Sequence, residues 1–164
     1  LSNGTQKREW CFPSEEINRA LENQRTKFKQ IRMVLVTPAI FNQISEDRQG
    51  WLPGWLKFDG SALTGTPKGA PSGVKLKLVS ACTERWKPIS GWSLEKKGAK
   101  PIRRLVPAGS VYFFEVLEGD AAVLAESLWL RSVCDDPQDR RDGFGLALWG
   151  IWDYADVDTA KEQE

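Results

Sequence analysis

Residues able to do chemistry cluster in two places. The first is "CDDPQDRRDGFGLALWG", residues 134–150, where Asp135, Asp136, Asp139 and Asp142 surround Arg140 and Arg141 before Gly143-Phe144-Gly145. Two glycines flanking one residue let the main chain take positive φ and come close to a partner. Successive N–H groups in such a turn can form an anion nest, and paired arginines can fork onto phosphates. The aspartates work against this, because they repel a bare phosphate chain. They either orient the arginines or face a protein. A lone Gly-x-Gly step is weak, and an ordinary turn before a buried strand is the simpler account.

The second cluster is residues 85–104, "RWKPISGWSLEKKGAKPIRR". Arg85, Lys87, Lys96, Lys97, Lys100, Arg103 and Arg104 oppose only Glu95, a local charge of +6 within a chain of net charge +1. Trp86 and Trp92 interleave with these cations, as in single-stranded RNA recognition, where charge tracks the backbone and rings stack on bases. A solvated loop with two anchoring tryptophans fits equally well. "GWLPGWL", 50–56, could also stack on a base, although paired tryptophans around Pro-Gly more often plug a hydrophobic seam or a protein interface.

Other chemistries find little support. The chain has no histidine, which removes the usual general base, the commonest metal ligand and the base of most nucleophilic triads. Cys11, Cys82 and Cys134 form no CxxC pair, so zinc is not expected and structural thiols in a reducing cytosol are. Asp135 and Asp136 could hold a hard cation, but an acidic pair beside a proline is usually a solvated turn. No cofactor or metal is expected, and no enzymatic role.

These residues need a scaffold, and 164 residues suit one domain with 41% hydrophobic content, enough for an ordered core. No apolar stretch approaches the ~20 residues of a membrane span, and no signal peptide is visible, so a cytoplasmic protein with no membrane partner is expected. The chain opens on "LSNG" rather than Met, so a fragment or a processed or trimmed product is an expectation here. Residues 1–30 read as a polar lead-in with a short helix capped by Ser14. Residues 31–152 read as the folded domain, and 153–164 as an acidic tail. Strands are expected at 31–41 (with Pro38 marking its end or an edge position), 74–84, 110–119 and from 144 onward, with a buried helix at 120–133 capped by Asp120. Residues 59–73 and 88–109 read as irregular, turn-rich connections. The order β-β-β-α-β predicts an α+β domain, an antiparallel sheet with a helix on one face and long loop insertions, which is open to the ferredoxin-like (split β-α-β) type that recurs as an RNA-binding scaffold.

Several stretches, in order, carry a family likeness: "IRMVLVTPAIF", "GWLPGWL", "ISGW", "RRLVPAGSVYFFE" and "DRRDGFGLALWG". Over about residues 31–150 the chain resembles the RAMP-superfamily subunit that holds the crRNA 5′ end in type III-B (Cmr) CRISPR effector complexes. The most specific parts are VPAGSVYFFE and the glycine-rich GFG loop. The likeness is to the C-terminal half of that subunit, which in the family begins with another ferredoxin-like domain. It implies a non-catalytic role in antiviral defence: gripping the crRNA 5′ handle and docking the large polymerase-like subunit. It also implies contact with a RAMP backbone subunit and with the N-terminal half of the same subunit. Arg140, Arg141, Gly143, Phe144 and Gly145 would then lie at the RNA, with Lys100, Arg103 and Arg104 the next candidates. A scaffold module without RNA contact is the alternative. A RAMP-type endoribonuclease is disfavoured by the missing histidine.

Overall fold

The computed structural model describes residues 29–42 and 50–152. The expected lead-in helix, apart from its last two residues, and the acidic tail lie outside them. The strands are β1 (Gln30–Leu35), β2 (Lys57–Phe58), β3 (Leu63–Gly65), β4 (Lys75–Cys82), β5 (Lys87–Ile89), β6 (Trp92–Ser93), β7 (Gly98–Ala99), β8 (Arg103–Leu105), β9 (Val111–Glu118), β10 (Arg131–Ser132) and β11 (Leu146–Ile151). Two short helices, α1 (Ala121–Ser127) and α2 (Pro137–Arg141), precede β10 and β11 respectively.

Seven strands form one antiparallel sheet in the order β10-β11-β1-β9-β4-β3-β2, so the fold is α+β with sheet predominating. Alternation writes the long strands. In β1 the residues Ile31, Met33 and Leu35 are buried while Arg32 between them is exposed. Tyr112, Phe114 and Val116 of β9, and Ala147 and Trp149 of β11, do the same. Period-two burial directs these side chains to one face. There they meet Leu124, Ala125 and Leu128 of the helical region, and Leu52 and Leu56 of the tryptophan-rich loop, in a single core.

Phe114 is the centre of that core, with Trp55 at 5.6 Å and Trp149 at 5.9 Å between ring centroids. Phe114→Ala is expected to cost about 3–5 kcal/mol. The check is the midpoint of urea unfolding with an unchanged slope, which reports lost stability without a change of fold.

Three expected elements differ in the structure. The helix expected at 120–133 has its Asp120 cap, whose carboxylate accepts from the N–H groups of Ala122 (2.7 Å) and Val123 (3.2 Å), but it stops at Ser127. Beyond it Leu130 takes a φ of 51° and gives its N–H to Ala147 O at 3.0 Å, so pairing with β11 overrides helical propensity. The connection at 88–109 is not irregular throughout: β5 pairs with β8, and β6 with β7 inside it. Pro88 sits in β5, an edge strand that tolerates a missing N–H. Within 59–73, the β2–β3 hairpin claims part of another expected loop.

Candidate nucleic-acid interface

The 134–145 segment is more ordered than its composition suggests. Asp136 caps α2, accepting from Gln138 N at 2.6 Å, and Pro137 follows at the first helical position, where its missing N–H costs nothing. The other acids also have structural partners. Asp135 accepts from Asn42 N at 2.8 Å and from Gly54 N at 3.0 Å, tying the end of the β1 segment to the tryptophan-rich loop. Asp142 accepts from Gln138 Nε2 at 2.8 Å. Asp139 is buried and forms an ion pair with Arg103. Burial holds the Asp139 carboxyl above its usual range, against the pull of the Arg103 guanidinium. The sequence left open whether these acids orient Arg140 and Arg141 or face a protein. Three of them fasten the loop to itself and to its neighbours, and Asp139 takes an arginine from a different segment.

Gly143 and Gly145 have φ of 82° and 71°, the left-handed region the motif anticipated. Gly145 is required twice over, because a Cβ there would lie 2.6 Å from Cys134 Sγ. The N–H groups nevertheless point inward. Phe144 N donates to Asp139 O (3.1 Å), Gly145 N to Pro38 O (2.8 Å) and Leu146 N to Thr37 Oγ1 (2.9 Å). Donors already spent inside the protein cannot build the expected anion nest. Locally the turn closes α2 onto β1 and launches β11.

The expected site residues divide in space. Arg103, Lys100, Asp142 and Phe144 line one cleft of about 200 Å³ together with Ile89 and Ser90, so the basic segment and the glycine loop meet there. Arg140 is half-buried and Arg141 exposed on the last turn of α2. Arg104, next to Arg103 on β8, lies in a separate cleft with Trp86, its guanidinium carbon 4.8 Å from the ring centroid. Alternation along β8 thus splits an arginine pair that looks like one motif in sequence.

Sequence reasoning missed Thr37, whose hydroxyl donates to Gly143 O at 2.8 Å and accepts from Leu146 N. Nothing local marks it, since its partners lie more than a hundred residues away. Cys134 is buried, and burial pushes its thiol up to about 11, so it stays a neutral acceptor for Ile40 N–H (3.3 Å). Cys82 is exposed. Among the described residues no three Cys, Asp or Glu side chains gather as metal ligands would, and no helix is long and apolar enough to cross a membrane.

A family model described as CRISPR-associated protein (Cas_Cmr3) matches residues 4–152, nearly the whole chain and more than the 31–150 over which the motifs suggested a likeness. No curated protein matches the chain. With the GFG turn and the VPAGSVYFFE strand in the places the motifs demanded, the chain belongs to this CRISPR-associated family of type III-B Cmr subunits.

Proposed function

We propose that the chain is a non-catalytic, cytoplasmic subunit of a Cmr effector complex, holding the crRNA 5′ handle and docking the large polymerase-like subunit in antiviral defence. The observation that carries the RNA half is convergence. Lys100 and Arg103 of the basic excursion share a cleft with Phe144 of the glycine loop, although more than forty residues separate the loop from Lys100. Cations beside an aromatic ring are what a single strand requires. With the loop N–H groups engaged inside the protein, the contact runs through the side chains of Lys100, Arg140 and Arg141. The central strand order β11-β1-β9-β4, with α1 on the β9–β11 crossover, supports the ferredoxin-like reading. The docking half rests on the β6–β7 hairpin, which leaves Trp92 62% and Leu94 86% exposed. Exposed apolar groups of that size mark a surface that another chain covers. The absence of histidine supports a role without catalysis.

Arg140→Ala combined with Arg141→Ala should weaken handle binding in the assembled complex. It should also flatten the dependence of log K on log salt by roughly 0.7 per lost phosphate contact. An unchanged affinity and slope across a salt titration would sink the loop assignment and leave a protein-docking role for 135–145.

A further inference from the structure

We infer that the cleft between the tryptophan-rich loop and the β8 edge is a stacking site for one unpaired base of single-stranded RNA. It is separate from the Lys100–Phe144 cleft. It encloses about 320 Å³ and is lined by Trp51, Glu84, Arg85, Trp86, Arg104 and Val106, among others. The two indoles come from segments thirty-five residues apart, yet both remain close to half exposed, Trp51 at 48% and Trp86 at 45%.

The indoles are held in place. Trp51 lies stacked on Tyr112, with 6.5 Å between centroids and planes 17° apart, and its carbonyl accepts the Tyr112 hydroxyl. Burial raises the pKa of that phenol, so it remains a donor. Gly54, three residues along, is tied to Asp135. Trp86 is flanked by the Arg104 guanidinium in cation–π contact. A ring fixed before its ligand arrives loses little conformational freedom on binding.

The chemistry selects the occupant. Indole faces and a planar guanidinium favour a flat π-system over an aliphatic chain. Arg85 and Arg104 against Glu84 leave the lining cationic, which suits a ligand carrying phosphate. Glu84 can accept from an exocyclic amino group on the base edge. The site takes a base freed from pairing, because a paired base offers no face to an indole. The RNA as its source rests on the function proposed above; the stacking chemistry stands on the cleft alone.

The test is fluorescence anisotropy of a labelled short adenylate oligomer added to the 164-residue chain. Trp86→Ala and Arg104→Ala should each weaken binding about ten-fold, and Trp86→Phe should retain most of it. Pre-annealing the labelled oligomer to its complement should abolish binding, and AMP should compete only weakly with the single strand. Wild-type affinity in both Trp86→Ala and Arg104→Ala, or equal binding of the duplex, overturns the inference. So does AMP competing as well as the oligomer, which would make this a mononucleotide site. If Arg140→Ala with Arg141→Ala weakens binding while the cleft variants do not, the loop reading survives and this one fails; the converse result removes the loop and keeps the cleft. If RNA leaves the cleft variants unaffected but they lose a protein subunit of the complex, the occupant is a protein side chain and the inference falls.

Discussion

Arg103→Ala is expected to destabilise the fold by on the order of 3 kcal/mol, far more than its place in a basic stretch suggests. Removing one partner of a buried ion pair strands the other charge, and here the stranded group is the Asp139 carboxylate, almost wholly out of water. The figure sits at the low end for such pairs because the Arg103 side chain is 35% exposed. Asp139→Asn should cost less, since the guanidinium it frees can turn to solvent. The double variant Arg103→Ala, Asp139→Asn should recover much of the loss. Acidity separates these cases. Burial already raises the pKa of Asp139 in the folded protein, so the group binds its proton more tightly folded than unfolded. Its contribution to stability is therefore fully present below the unfolded carboxyl pKa and is lost as pH rises through the folded one. Without Arg103 that folded pKa climbs further, so the deficit of Arg103→Ala against wild type should be largest near neutrality and shrink on acidification. Urea midpoints measured from neutral to mildly acid pH decide it. A deficit independent of pH would mean that Arg103 contributes by packing alone.

The second large effect is expected at Asp135. Its carboxylate is the acceptor for two main-chain N–H groups from different segments, Asn42 and Gly54. Asp135→Ala leaves both donors without that acceptor, at about 1–3 kcal/mol for each one kept from water, or roughly 2–4 kcal/mol together. Asp135→Asn should lose less, because an amide oxygen in the place of Oδ2 still accepts from both Asn42 N and Gly54 N. Amide exchange gives the specific check: Gly54 and its loop neighbours should lose protection in Asp135→Ala more than β9 does. Uniform loss would show that Asp135 supports the whole core rather than the loop.

The contrast between these residues explains what the sequence disclosed. The long strands were legible because their signals are local: a β-branched apolar run from Ile31, and lysines alternating with Val and Leu from Val74 to Leu78. Asp120 was legible as a cap for the same reason, its partners lying two and three residues on. The end of α1 was not legible, because the competing bond from Leu130 goes to Ala147. Asp139 and Arg103 stand thirty-six positions apart, and each sits beside a decoy, Arg140 in one case and Arg104 in the other. Local charge patterning left the pairing open; the fold says which cation meets which acid. Trp51 and Trp86 each read as ambiguous alone, and their shared cleft depends on a loop that Asp135 and Tyr112 hold from afar.

The sheet's margins carry a further consequence. Its outermost strands, β10 on one side and β2 on the other, are two residues long each. β10 pairs with only Leu146 and Ala147 of β11, and β3, which carries β2, with only Leu76 and Lys77 of β4, so among the described residues the rest of those two longer strands meets no further strand on that side. The sheet is thus closed at one end of each margin and open along the other, and the open stretches are where a neighbouring chain has backbone to add a strand.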